Sequence, residues 1–160
     1  MKEIKLTQGQ VALVDDDMFE ELNQFKWYAA RNWKTYYAVR CCMRKTIRMH
    51  MVILPPIVGF KTDHADRNGL NNQRSNLRYA THGQNRANSK REKQANDYIG
   101  ITENKGRKNK KHIITKKWRA QIEKDGKHYG LGYYVTPIEA ALAYDQKARE
   151  LFGEFANTNF

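Results

Sequence analysis

Cysteine is almost missing from this chain. Its 160 residues hold two, the neighbours Cys41 and Cys42, too few and too close for a disulfide framework or a tetrahedral zinc site. They read as reduced thiols in a half-buried strand. No apolar run approaches the roughly 20 residues that a spanning helix needs, and Met1 to Leu6 lacks the apolar centre of a secretory leader. A cytoplasmic, unsecreted protein is expected. Acids are scarce too: 17 Asp and Glu stand against 29 Lys and Arg, a formal net charge of +12. Such an excess points to a polyanionic partner, and the length allows one or two small domains.

The position of that charge says more than its sum. Between Arg86 and Arg119 there are twelve Lys and Arg against Glu92, Asp97 and Glu103, so this segment supplies +9 of the +12. A basic run of this kind is often only a solvated face. Linking two ordered regions, it is better placed to track phosphates.

Residues 2 to 53 read as a small mixed α and β module. Ile4-Lys5-Leu6 and Val11 to Val14 are strands, and one of Asp15, Asp16 or Asp17 caps a short helix through Phe19, Leu22 and Phe25. Three consecutive Asp cannot face one point on regular backbone, so capping is preferred to a metal cluster. Lys26 to Ala30 and Tyr36 to Arg40 form a strand pair joined by Arg31 to Thr35. Arg48 to Leu54 forms a short buried helix that Pro55-Pro56 ends. His50, among Met, Val and Ile, fits a satisfied core residue.

The stretch from Asp63 to Asn88 packs two Asp, two His and six Asn into 26 residues. It makes a poor core and a good store of oxygen ligands. It reads as strand, loop, strand and helix, with Thr81 capping a helix that begins at His82. Here the residues match a family. Asp63-His64, Asn76 twelve residues on and Asn85 nine further, with NGLNN and NLRYAT around them, resemble the catalytic motif of HNH endonucleases, the phage and intron-type nucleases with a ββα-metal site. Val14-Asp15 and Lys26-Trp27 resemble the region that precedes the motif in phage enzymes.

What the resemblance implies can be set beside the chemistry of the side chains. Phosphodiester hydrolysis needs an activated water, neutralisation of the phosphate and stabilisation of the leaving 3′ oxygen. His64, with an ordinary pKa near 6.5, suits the general base. Asp63 and Asn85 offer one carboxylate and one amide oxygen, a set for one Mg²⁺ or Mn²⁺ and not for zinc. By resemblance, Asn76 bridges the loop and hydrogen-bonds the backbone or ring of His64, and His50, in an MH dipeptide, supports the site without touching substrate. His82 is an alternative ligand to Asn85, although its place in an exposed first turn argues against it. Asp63 and His64 can flank one phosphate only if their strand bends or ends there, which Ala65 to Gly69 permits. Asp66, Asn71 and Asn72 shape the loop, while Arg67, Arg74, Arg78, Arg86, Lys90 and Arg91 are phosphate contacts.

Beyond a basic linker (89–97), order resumes at Tyr98. Trp118 to Glu123 alternates, Asp125-Gly126 signals a hairpin, and His128 to Tyr134 is the partner strand. Thr136-Pro137-Ile138-Glu139 opens a helix that runs to about Phe152 and stops at Gly153. Gly100-Ile101, Trp118 to Ile122, Leu131-Gly132, Glu139-Ala140-Ala141, Ala143-Tyr144-Asp145 and the ending Phe152 to Asn157 with Asn159-Phe160 resemble the apetala and ethylene-response-factor type of DNA-binding domain. Alternation puts Trp118, Ala120, Ile122, Leu131 and Tyr133 on the helix-packed face. Lys117, Arg119, Gln121, Glu123, His128 and Tyr134 then face a DNA major groove.

The resulting expectation is an α+β protein. An N-terminal module and HNH core (1–88) precede the linker and a three-stranded antiparallel sheet on one helix (98–160). The expected activity is metal-dependent cleavage of double-stranded DNA, with no membrane or protein partner and a monomer preferred to a dimer. A DNA-binding regulator without chemistry is the alternative from another class, and an RNA-directed protein is a third.

Overall fold

Short strands with one buried face set the first sheets. β1 (Lys2–Lys5) pairs antiparallel with β2 (Val11–Val14), burying Ile4, Ala12 and Val14. Helix α1 (Asp16–Asn23) follows and buries Leu22, whose carbonyl accepts the indole N–H of Trp27 at 2.8 Å. The computed structural model describes residues 1–32, 35–89, 98–104 and 117–160. Lys90, Arg91, most of the expected linker, Trp33-Lys34 and the Lys-rich stretch 105–116 lie outside the described residues. The architecture is α+β, and the chain divides into two units, Met1–Asn85 and Arg86–Phe160.

In the first unit, β3 (Tyr28–Asn32), β4 (Thr35–Cys42) and β5 (Lys45–Arg48) form a second antiparallel sheet. The sequence reading found no strand at β5. Its turn, Met43-Arg44, takes positive φ at both residues (48° and 62°), a conformation that hairpins ordinarily give to Asn-Gly, so no turn residue announced it. The expected strand at Lys26-Trp27 begins only at Tyr28, since Trp27 is a buried anchor. Helix α2 (Met49–Ile53) leads to Pro55-Pro56. Then come β6 (Lys61–His64), a loop, β7 (Leu77–Ala80) paired antiparallel with β6, and α3 (His82–Asn88). Thr81 caps α3 as expected: its Oγ1 accepts the Gln84 N–H and its own N–H donates to Gln84 Oε1.

Asp15 occupies the expected N-cap position of α1, but its side chain makes no capping hydrogen bond. Asp15 and Asp17 serve the loop between β6 and β7 instead. Asp15 Oδ2 accepts the Arg74 N–H at 2.8 Å and Asp17 pairs with the Arg74 guanidinium. The Leu13 N–H donates to Leu70 and the Asn72 N–H to Leu13. The loop is thereby stitched to β2 and α1 rather than hanging in solvent.

The second unit holds β8 (Ile101–Glu103), β9 (Trp118–Lys124) and β10 (Lys127–Tyr134) in the order β10-β9-β8, with α4 (Pro137–Phe152) opened by a Thr136/Glu139 capping box and Pro at its start. Ala140, Ala141, Tyr144 and Ala148 pack on Ile101, Ala120 and Ile122. A bulge between Gly130 and Gly132, where Gly132 takes φ 115°, shifts the register of β10. One extra residue exchanges the faces beyond it. Tyr134, opposite Trp118, therefore packs on the core, and Tyr133, opposite Arg119 and 47% exposed, faces outward. This reverses the expected placement of those two tyrosines.

Candidate active site

Strand β6 ends at His64, and the chain turns at once, the Arg67 N–H closing on the His64 carbonyl at 3.0 Å. The strand ends where the sequence reading needed it to, but the two side chains do not converge. Asp63 and His64 then go separate ways. Both are buried, but Asp63 Oδ2 meets Arg78 Nε at 3.2 Å across the strand pair, whereas the His64 ring turns toward Tyr37 and His50.

Three rings meet there. His50 and His64 contact edge to face at 4.9 Å, and Tyr37 lies 5.3 Å from His50 and 5.7 Å from His64. Burial pushes the His64 imidazole below its ordinary value, with Asn72, Asp66 and Asp63 opposing. Burial, then His64 and Arg48, takes His50 down to about 3. Burial and the Asp63 charge raise Tyr37. The cluster is therefore neutral at physiological pH. Gly69 sits against it for lack of a side chain, since a Cβ there would come within 2.6 Å of the Tyr37 ring. It makes room for an aromatic neighbour, where the sequence suggested only a turn.

Asn72 also faces the cluster. Fully buried, it donates Nδ2 to the Leu70 carbonyl at 3.0 Å, which fixes its amide orientation and leaves Oδ1 3.5 Å from His64 Nε2. An amide oxygen only accepts, so this contact is a hydrogen bond in the tautomer that carries its proton on Nε2. The sequence reading assigned Asn72 to loop shaping and had Asn76 bridge the loop and hydrogen-bond the backbone or ring of His64. One of six similar amides in a polar stretch gives no signal of which one turns inward.

The Asn76 side chain holds the loop. Its Oδ1 accepts the Asp66 N–H at 3.0 Å, and its Nδ2 donates to Asp66 Oδ1 and the Asn71 carbonyl at 2.9 and 2.8 Å. Its backbone carbonyl accepts the N–H of Ala65, next to His64. Asp66 gathers the same loop. Burial raises its carboxyl, but hydrogen bonds from Asn68, Asn71 and Asn76 outweigh that and leave it below its ordinary value.

A cleft of about 430 Å³ opens beside the rings, lined by Tyr37, His50 and Thr62, by the cations Arg48 and Lys61, and by Asn85 from α3. Asn85 and His50 thus share one opening. Asp63 is not among the lining residues, and His82 is exposed in the first turn of α3. Arg67 is half-buried with φ 64°, and Arg86 is exposed. Arg74 and Arg78 are engaged by Asp17 and Asp63. Among the described residues no three His, Cys, Asp or Glu side chains gather as a metal cluster. As ligand types, a carboxylate and an amide oxygen match a hard divalent cation, which takes further ligands from water and phosphate.

In the second unit the outward sheet face carries Arg119 opposite Tyr133, Gln121 opposite Gly130 and Glu123 opposite His128, the last pair 3.8 Å apart. Lys117 precedes β9 and is exposed. Among the described residues no helix is long and apolar enough to cross a membrane.

No family model and no solved structure matches the chain. Among curated proteins, it is 32% identical over 158 residues to a protein of Acanthamoeba polyphaga mimivirus named as an uncharacterized HNH endonuclease, L560. The match spans 95% of this chain and 76% of that protein.

Proposed function

The chain belongs to the HNH endonuclease family, and from that premise we propose that it hydrolyses DNA phosphodiesters with His64 as general base. The observation that carries this reading is the buried, neutral imidazole of His64. It stands at the end of β6 with the Asn72 amide oxygen beside its ring. His64 takes a proton from water, and Asn76 keeps the loop behind it in shape. Asp63 and Asn85 would hold one Mg²⁺ or Mn²⁺, whose chemistry is to neutralise the phosphate and the leaving oxygen. Arg48 and Lys61 favour a polyanion in the cleft.

The second unit is proposed as the reader of double-stranded DNA. It resembles the apetala and ethylene-response-factor type, and Arg119, Gln121, Glu123, His128 and Lys117, with Tyr133 now on the same face, form its groove-directed surface. A monomer cutting one strand is the simplest form.

The Asp63–Arg78 pair favours the second reading, a DNA-binding regulator, since that carboxylate already has a cationic neighbour. Supercoiled plasmid incubated with Mg²⁺ or with EDTA separates the two. Nicked or linear product from wild type with metal only, and none from His64→Ala, supports the nuclease. Intact plasmid with both proteins across many target sequences supports the regulator.

A further inference from the structure

The segment between α2 and β6 puts its apolar residues in water. Val58 is 100% exposed, Ile57 50% and Phe60 40%. A tip of this composition would ordinarily fold inward, yet this one is braced where it stands. Pro55 and Pro56 fix its entry, and the Phe60 N–H closes a turn on the Ile57 carbonyl at 3.0 Å across Gly59, whose φ is 82°. Below the tip, Tyr79 donates its hydroxyl to the Pro55 carbonyl at 3.1 Å and meets the Phe60 ring edge to face at 6.5 Å. The tip is thus held before any partner arrives, so little ordering entropy is lost on contact.

Its surroundings decide the partner. Pro56 and Lys61, on either side of the tip, both line the cleft that contains Arg48, His50 and Asn85, and no lining residue of that cleft is acidic. An apolar point beside a cleft that holds Arg48 and Lys61 matches a nucleic acid, which offers phosphates outside and apolar base faces between its steps. We propose that Ile57 and Val58 are a wedge that enters the minor groove of the bound duplex and partly unstacks one base step, as apolar side chains do in DNA-bending proteins. The inference rests on the cleft being where the DNA strand lies. Six residues separate Val58 from His64, at most roughly 20 Å of chain, so the disturbed step lies within about six base pairs of the cut at 3.4 Å per step.

Sequencing the ends cut from a random duplex library fixes the cleavage position. Duplexes centred on it, each with a single 2-aminopurine walked through the flanking steps, are then bound to the full-length protein without Mg²⁺. Wild type raises the fluorescence at one or two adjacent positions in that window. The Ile57→Ser, Val58→Ser double variant melts at the wild-type temperature but loses the rise and binds the duplex roughly tenfold more weakly. Wild type that cuts DNA with no rise at any position overturns the wedge and leaves the nuclease reading standing. A variant that keeps the rise overturns it too. If wild type self-associates in sedimentation, the variant does not, and neither changes the fluorescence, the tip docks a second copy and the wedge is refuted. A chain that binds no duplex refutes both readings.

Discussion

The imidazoles of His50 and His64 meet edge to face at 4.9 Å, and burial holds both below their ordinary values, His50 at about 3. The groups around them are Tyr37 from β4, Arg48 ahead of α2, and Asp63, Asp66 and Asn72 from the site strand and its loop. The unfolded chain takes up the proton first, so stability is complete above about pH 6.5 and falls as pH drops toward 3. At about 1.4 kcal/mol per pH unit, His50 alone removes about 2 kcal/mol between pH 6.5 and 5. Denaturant midpoints across that range should show the loss, and His50→Gln should flatten the slope. An equal slope in the variant would locate the acid sensitivity elsewhere.

Arg78 is one neighbour that helps to keep Asp63 acceptable inside the fold. Their side chains are 16% and 8% exposed and 3.2 Å apart, so removing the guanidinium leaves a buried carboxylate without its counter-charge. Arg78→Ala should cost roughly 3 kcal/mol, near the lower end for breaking a buried pair. If Asp63 also ligates a cation, guanidinium and ion compete for it. Mg²⁺ should then raise the melting temperature of Arg78→Ala more than that of wild type. Equal metal effects on both would remove Asp63 from the proposed ligand set.

Asn76 makes three side-chain hydrogen bonds within the loop. Losing them takes one donor each from the exposed Asp66 carboxylate and the half-buried Asn71 carbonyl, at about 1 kcal/mol for each lost hydrogen bond. Asn76→Ala should therefore lower both stability and cleavage. Asn72→Ala acts mainly through the His64 ring and should lower kcat with little change in KM. A KM effect alone from Asn72→Ala would place Asn72 in binding.

Asp63, His64, Asn76 and Asn85 stood out in the sequence through their resemblance to the HNH motif, whose spacing is local. Their partners did not. Asn72 and Tyr37 belong to the site through contacts at separations of 8 and 27 residues from His64, and a pattern of local periodicity carries no long-range contact. The same limit hid the Asp15 and Asp17 contacts to Arg74. Helix α4 was readable end to end, because its Thr-Pro-x-Glu start and Gly stop are local signals. Turns at Met43-Arg44 adopt strained backbone without the residues that advertise it, so β5 stayed invisible.

Asp145 ties the end of the chain to the second unit. Fully buried in α4, it accepts the Asn159 and Phe160 N–H groups at 2.8–2.9 Å and the Asn159 side chain at 2.9 Å. Asn159 Oδ1 in turn accepts the Ile99 N–H at 2.6 Å, just before β8. Asp145→Ala, or deletion of Asn159 and Phe160, should each lower stability by roughly 3 kcal/mol. Combining the two should add little, since they remove the same contacts. Additive losses in thermal melts would mean that the two ends are held independently.

Tyr133 and Tyr134 are neighbours in sequence with opposite tasks, because the bulge at Gly130 to Gly132 reverses the alternation that a regular strand would have followed. Tyr134 packs on the core and donates its hydroxyl to the Leu131 carbonyl at 2.8 Å. Tyr134→Ala should cost about 3 kcal/mol, in the range for deleting a packed aromatic ring. Tyr133 stands beside Arg119 on the outward face, so Tyr133→Ala should leave the unfolding free energy within about 0.5 kcal/mol of wild type. If that face reads DNA, Tyr133→Ala and Arg119→Ala should both weaken duplex binding in fluorescence anisotropy, while the Arg119 variant alone also reduces the salt dependence. Unchanged affinity in both variants would take this sheet face out of DNA recognition.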